Sequence, residues 1–300
     1  MGLRPFDPWR SELCTCPPKY SLNPYTGCAH GCIYCYASAY IRDFFRCRPK
    51  PDLVRKVGRE LSRIPPGSFI SLSNTSDPYP PLEEKLGNTR RCLELFRVYR
   101  MRVLVVTKSH LVLRDTELLS EMEAAVTLTI TSFRHSTKLE PGAPSPDLRL
   151  EALRELSRAG IPVGLRLDPI FPGLTDDEIE EIVKQAAQAG AKHLVASTFK
   201  PRRDSWKRFT QTFPEVAAQT YELYFKFGQR IGNSWYLPRE VRWNLMSRVK
   251  RISRANGLTF ACCREGFPKL HTAESCDGSH LIRSKSERES TPPGVLYTSR

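Results

Sequence analysis

Short apolar runs alternate with amphipathic segments through the middle of the chain. The runs are no longer than seven residues and consist of apolar or β-branched side chains, which is typical of buried parallel strands. They are Ser68–Asn74, Arg102–Lys108, Val126–Thr131, Pro162–Asp168 and His193–Thr198. The segments between them repeat apolar residues at helical spacing and cover Leu82–Tyr99, Asp115–Met122, Asp147–Ala159 and Thr175–Ala189. This order predicts an α/β fold built on a parallel sheet.

A strand-like segment at Tyr20–Tyr25 and a helix after Gly31 add one unit before these. Six βα units with right-handed crossovers predict a partial (β/α)6 TIM-like barrel, although a doubly wound sheet fits the same alternation. After Thr198 the pattern becomes mainly helical. We therefore predict three parts, which are a barrel over residues 1–199, a basic helical extension with a cysteine-containing cap over 200–283, and a loose tail over 284–300.

Composition places the chain among folded proteins, with 40% apolar and 26% charged residues in 300. The longest apolar stretches, such as Val103–Val106, are too short to span a bilayer, and Met1–Arg10 lacks a secretion signal. We expect a cytoplasmic monomer with no membrane contact.

Positive charge is concentrated in the predicted extension. Lys and Arg number 46 against 32 acidic residues, and Lys200–Arg254 alone holds 13 basic and 4 acidic residues. Aromatic residues are interleaved with these charges at Trp206, Phe209, Tyr221, Tyr224, Phe225, Trp235, Tyr236 and Trp243. This mixture predicts contact with DNA or RNA, for which Arg202, Arg203 and Lys207 are the candidate residues. A basic helical layer packed on the barrel explains the same composition.

The densest chemical signal is a group of three cysteines directly after the first predicted strand. Cys28, Cys32 and Cys35 are spaced C-x3-C-x2-C. A structural zinc site needs four ligands, usually in two close pairs, whereas three thiolates leave one position open. Soft thiolates select iron–sulfur clusters among other options. Buried cysteines and a zinc site are the alternatives.

This loop, NPYTGCAHGCIYCYA, resembles the signature of the radical S-adenosylmethionine (SAM) enzymes, which place an aromatic residue before the last cysteine, here Tyr34. Four further segments are similar to the spore photoproduct lyase-like branch, also called DNA repair photolyase-like. They are Ser73–Glu83, Thr107–Asp115, Leu139–Leu150 and Pro169–Ile182. The resemblance covers about Tyr20 to Ser197, roughly three-fifths of the chain.

The resemblance implies an enzyme of lyase or transferase type. In the family, a 4Fe-4S cluster on the three cysteines binds SAM at its fourth iron. An electron from a reductant such as ferredoxin or flavodoxin then splits SAM, giving a 5′-deoxyadenosyl radical that abstracts a substrate hydrogen. A nucleic acid or nucleotide-like substrate, repaired or modified, is our leading expectation. A peptide or protein substrate is the alternative, and a non-catalytic nucleic-acid-binding metalloprotein is the second.

The same resemblance, with the strand positions, assigns cofactor-binding residues. Ser76 and Asp77 are expected near the methionine amino group, and Lys108 is expected to pair with the carboxylate. Thr129 and Thr131 are expected to support the same ligand, Tyr34 to pack near the adenine, and Arg166 and Asp168 to meet the ribose or substrate. A helix cap or turn is the alternative for Ser76 and Asp77, and simple strand propensity is the alternative for the two threonines.

One position departs from the lyases. Their hydrogen-donor cysteine precedes a Thr-Ser-Asp triplet, and this chain has Asn74 there. An amide has no weak S–H bond, so direct repair of spore photoproduct is not expected.

Cysteines at both ends of the resemblance predict a second metal site. Cys14 and Cys16 with Cys263 and Cys276 supply four ligands, enough for an auxiliary iron–sulfur cluster. Ordinary buried thiols are the alternative.

Overall fold

The computed structural model describes residues 2–6 and 13–282; the predicted tail lies outside this range. The central feature is an eight-stranded sheet in the order β1-β2-β5-β6-β7-β8-β9-β12. Strands β3 with β4 and β10 with β11 form two small antiparallel pairs. The strand bounds are β1 Arg4–Pro5, β2 Tyr20–Leu22, β3 Tyr25–Thr26, β4 Arg48–Pro49, β5 Phe69–Leu72, β6 Arg102–Thr107, β7 Ala124–Thr129, β8 Val163–Ile170, β9 His193–Thr198, β10 Gln229–Ile231, β11 Ser234–Tyr236 and β12 Thr259–Cys262.

Every neighbouring pair from β2 to β12 is parallel, and only β1 is antiparallel to β2. Within the described residues the order begins at β1 and ends at β12, so the barrel is open. The predicted α/β class with a partial barrel is confirmed. Strand β12 was not predicted; it pairs with β9 in the register Thr259 to His193 and adds a seventh parallel strand.

Ten α-helices accompany the strands in the described part of the chain. They are α1 Leu53–Leu61, α2 Pro81–Leu86, α3 Asn88–Val98, α4 Thr116–Ser120, α5 Ser136–Leu139, α6 Pro146–Arg158, α7 Ile179–Gln188, α8 Arg203–Thr212, α9 Pro214–Phe225 and α10 Arg239–Ala255. In the part of the chain that the structure describes, no helix is both long and apolar enough to cross a membrane.

The two faces of the sheet carry different partners because successive strand side chains point to opposite sides. Val103 and Val105 on β6 join the main core under the helices. Leu104 on the other face packs with Ala125 and with Ile282 from the C-terminal segment. That segment fills the interior where the strands begin. The ends of the strands are therefore left for a cavity.

The aromatic residues of the extension form a second core instead of a surface. Phe171 and Phe199 from the barrel pack with Phe209 and Tyr224, and the Phe171 and Phe209 rings stack at 5.2 Å. Of the eight aromatics predicted to interleave with charge, only Tyr221 and Trp243 are exposed. The helices of the extension after residue 199 therefore pack against the barrel through aromatic side chains.

Candidate cofactor site at the ends of the strands

The loop that carries the three cysteines follows β3 and folds over the ends of the strands. Gly27 has φ of +77°, and a Cβ there would lie 2.5 Å from the carbonyl oxygens of Phe44 and Arg46. Only glycine fits such an approach. The turn lets the Cys28 amide donate to the Phe44 carbonyl at 2.7 Å. All three cysteines then line one cavity of about 290 Å³.

Helix α8 fastens the cysteine loop through Arg208. Its guanidinium donates to the backbone oxygens of Ile33 at 2.8 Å and Cys35 at 3.1 Å. Asp204 on the same helix accepts from Arg208 and from the Ser38 hydroxyl. The predicted extension is therefore part of the support for the cysteine loop.

The donor set suits an iron–sulfur cluster. Cys28, Cys32 and Cys35 are free thiols, and burial raises the pKa of Cys28 to about 12. Buried thiols of this kind become thiolates when they bind metal. Among residues 2–6 and 13–282, no three His, Cys, Asp or Glu side chains converge as the ligands of a single metal ion would. A cubane cluster needs no such convergence because each thiolate binds a different iron.

Asp77 lies at the cavity wall, and both of its carboxylate oxygens accept hydrogen bonds from other residues of the chain. One carboxylate oxygen accepts from the Thr107 hydroxyl at 2.6 Å and the Tyr79 amide at 2.9 Å, and the other accepts from the Lys108 amide at 2.8 Å. Ser76 also lines the cavity, but its hydroxyl donates to the Tyr25 carbonyl at 2.8 Å. The structure thus brings both predicted residues to the cavity and gives each a local partner.

A buried carboxylate that was not predicted, Glu140, organises the opposite wall. Glu140 accepts from Tyr34 and from the Thr131 hydroxyl, and it pairs with Arg149 at 2.5 Å and with Lys108 at 3.8 Å. Burial would raise the pKa of Glu140, but the charges of Arg149 and Lys108 outweigh it and hold that pKa at about 2. Thr131 contacts this carboxylate and does not line the cavity, whereas Thr129 does line it.

Arg166 and Asp168 from β8 form an ion pair in the cavity wall. The Arg166 guanidinium also donates to the Cys263 sulfur at 3.6 Å. Burial would lower the pKa of Arg166, but Asp168 and Cys263 raise it. The two predicted residues therefore contact each other in the cavity wall, beside the thiol of the residue that follows β12.

Three of the four cysteines predicted for a second cluster lie close together, and two of them, Cys14 and Cys16, line the same cavity. The sulfurs of Cys16 and Cys276 are 3.3 Å apart, and the Cys14 thiol is hydrogen-bonded to Cys16. Cys263 instead contacts Arg166, as described above. A second cluster stays a prediction.

The candidate nucleic-acid residues lie at the start of α8. Arg202 lines the cavity, and its guanidinium lies over the rings of Tyr36 and Tyr40 at 5.8 and 5.4 Å. Arg203 and Lys207 are exposed one helical turn apart. Tyr40 stacks on Tyr36 and is 49% exposed, so the cavity opens onto an aromatic and basic surface.

Comparison with known proteins decides the family. Residues 22–186, more than half of the chain, match the Radical SAM superfamily. The chain belongs to that superfamily. This is a superfamily of radical SAM enzymes, and membership implies a 4Fe-4S cluster, SAM and a reductant.

Several proteins match this chain over half of its length or more. An uncharacterized protein of Methanocaldococcus jannaschii is 33% identical over 178 residues, and one of Acidianus two-tailed virus is 29% identical over 199. These matches cover 53% and 58% of this chain but 63% and 65% of the relatives, less than two-thirds of their length. A protein of Pseudomonas phage M6 named "Radical SAM Nalpha-GlyT isomerase" is 23% identical and covers 86% of this chain and 59% of its own.

Solved structures of spore photoproduct lyase share the fold. One variant superposes with a TM-score of 0.63 at 18% identity, covering 81% of this chain and 76% of the lyase. SuiB of Streptococcus suis with bound S-adenosylmethionine reaches a TM-score of 0.54 at 13% identity, covering 86% of this chain and 55% of SuiB. The predicted spore photoproduct lyase-like fold is confirmed.

Proposed function

We propose that this enzyme binds its 4Fe-4S cluster through Cys28, Cys32 and Cys35 and modifies a nucleic acid or nucleotide-like substrate. The bound cluster and SAM supply a 5′-deoxyadenosyl radical that abstracts hydrogen. The support for the cluster assignment is the set of three free thiols on one loop, lining one cavity, in the segment that matches the superfamily.

Lys108 is proposed to hold the methionine carboxylate of SAM. It directly follows β6 at the cavity wall, where its ammonium group is 3.8 Å from Glu140 and 5.7 Å from the Tyr34 ring. The pairing with Glu140 fixes the lysine without enclosing it, since 15% of its side chain remains exposed. Tyr34 has its hydroxyl fixed on the same carboxylate, which presents its ring as a stable wall for the adenine.

The nucleic-acid part of the proposal rests on the surface around Arg202. Arginine stacked on exposed tyrosine is an arrangement that binds phosphate and stacks bases. The spore photoproduct lyase structures that share this fold include one with bound AdoMet and dinucleoside spore photoproduct, at 19% identity. Asn74 replaces the hydrogen-donor cysteine of those lyases and donates its amide to Ser21 at 2.6 Å, so we propose modification instead of spore photoproduct repair.

The observation that carries this substrate class is the contact of Arg202 with Tyr36 and Tyr40 at the cavity. If nucleic acid binds there, its affinity for a single-stranded DNA or RNA oligonucleotide falls steeply with salt, because each neutralised phosphate releases a counterion. Reversing the charges of Arg202, Arg203 and Lys207 to Glu should flatten the slope of log Kd against log salt by about 2 to 3. Fluorescence anisotropy at several salt concentrations measures this slope.

A matched control uses exposed basic residues on helices other than α8. Lys184 on α7 and Arg251 and Arg254 on α10 are also exposed, and their reversal changes the net charge equally. The control variant should keep a steeper slope than the Arg202 variant. Equal slopes would show attraction by net charge alone, and no binding at low salt would favour a peptide or protein substrate.

A further inference from the structure

His30 is a buried polar residue without a partner in the cofactor cavity. It lies between Cys28 and Cys32, is 1% exposed and lines the cavity. In the described residues neither ring nitrogen of His30 has a hydrogen-bond partner. Buried polar groups are nearly always paired, and an orphaned one at a ligand site points to a group that the ligand supplies.

The environment of His30 fixes which nitrogen carries its proton. The nearest charged atom is Oδ2 of Asp77, at 3.5 Å from Nδ1. A lone pair on Nδ1 would face a carboxylate, so a ring that holds a single proton holds it on Nδ1. The other nitrogen, Nε2, is then an acceptor that needs a donor.

Asp77 itself has little capacity left for a ligand. A carboxylate offers about four acceptor positions, and three are occupied by Thr107, Tyr79 and Lys108. The fourth faces His30. Asp77 can therefore act on the cofactor through the imidazole, as second-shell carboxylates do when they orient histidines.

Within residues 2–6 and 13–282, no donor reaches Nε2. Lys108 at the same cavity is directed toward Glu140, and the Arg149 guanidinium is paired with the same carboxylate. SAM brings an α-amino group with N–H donors into this cavity.

We propose that Nε2 of His30 accepts a hydrogen bond from the α-amino group of SAM, with Asp77 as a positioning residue behind it. This inference rests on the proposed function, since it requires SAM in the cavity. It replaces Asp77 by His30 as the side chain that meets the amino group. The acceptor then selects ligands that carry an amine at this position.

The test compares two ligands on three proteins. Dissociation constants are measured by equilibrium dialysis, without oxygen, for SAM and for the analogue in which hydrogen replaces the α-amino group. The proteins are iron-loaded wild type, His30→Met and His30→Gln. The preference for SAM over the analogue should fall about tenfold in His30→Met. Gln keeps an acceptor at the place of Nε2, so His30→Gln should retain more of the preference.

Any binding of the SAM amino group to iron contributes equally to the preference of all three proteins for SAM over the analogue. A difference in this preference between the proteins therefore reports on His30 alone. An equal preference in wild type and His30→Met would overturn the role of His30. If His30→Met fails to take up iron while His30→Gln does, the ring supports the cysteine loop instead, and the proposal is overturned. A wild-type protein that takes up iron but does not bind SAM would overturn the proposed function itself.

Discussion

Replacing Glu140 by Gln removes a buried negative charge. The Glu140 carboxylate accepts hydrogen bonds from Tyr34 and Thr131. It also forms ion pairs with Lys108 and Arg149. Its side chain is fully buried, and Arg149 beside it is only 1% exposed. The substitution leaves the guanidinium buried without its anion, which typically costs about 3 to 5 kcal/mol. We therefore expect Glu140→Gln to lower the free energy of unfolding by about 3 kcal/mol at pH 7.

The pKa of Glu140 gives a second, independent magnitude. A carboxyl with a pKa of about 2 in the folded protein and its ordinary value of 4.5 in the unfolded chain stabilises the folded state by about 3 kcal/mol. Because the folded value is the lower one, this stability is complete above about pH 5 and is lost as pH falls toward 2. About 1 kcal/mol is lost by pH 4 and about 2 kcal/mol by pH 3.

Urea unfolding of the iron-free, reduced protein measures both effects. Wild type, Glu140→Gln, Arg149→Met and the double variant are compared between pH 7 and pH 3. The double variant should lose clearly less than the sum of the single variants, because it leaves no unpaired charge. The gap between wild type and Glu140→Gln should narrow toward pH 3. Additive losses with a gap that does not change with pH would refute the reasoning.

Two further predictions concern the iron sites. Arg208→Lys should speed the loss of iron to a chelator about fivefold, because a single ammonium cannot span the Ile33 and Cys35 carbonyls as the guanidinium does. Lys207→Gln on the same helix is the control. Equal rates of iron loss in Arg208→Lys and the wild type would contradict the role of Arg208. If Cys14, Cys16 and Cys276 hold a second cluster with Cys263, a Cys28/Cys32/Cys35 triple alanine variant should retain about half of the wild-type iron by colorimetric assay. Iron near zero in a folded triple variant would show that the terminal cysteines are ordinary thiols, and the segment 257–282 a structural cap.

The periodicity of the sequence was sufficient to predict the barrel strands because they are buried on both faces. His193–Thr198 was predicted at its observed bounds, and Arg102–Lys108 to within one residue. Strand β12 was not predicted because Thr259–Cys262 is only four residues long and, in the part of the chain that the structure describes, no α-helix follows it. Its pairing with β9 depends on tertiary contact and not on a local pattern.

The candidate site was predicted where motif and position coincide, as at the three cysteines and Asp77. Glu140 and His30 were missed although both lie inside segments that carried the resemblance. A single Glu or His has no spacing signal of its own. Their roles arise from burial beside Arg149 and Asp77, which only the folded chain shows. The aromatic residues of 206–243 were predicted to stack on bases, but most of them pack in the second core. Composition alone does not distinguish core aromatics from base-stacking aromatics.

Cleavage of SAM by the reconstituted protein tests the central claim most directly. Wild type, Cys32→Ala and the control Cys92→Ala, whose cysteine is buried in α3 outside the cavity, are loaded with iron and sulfide without oxygen and reduced with dithionite. The 5′-deoxyadenosine formed from SAM is then measured by chromatography. Wild type and Cys92→Ala should form it, and Cys32→Ala should form none, because two thiolates hold the cluster poorly. Formation by Cys32→Ala at the wild-type rate would contradict the assignment of the cluster to this loop.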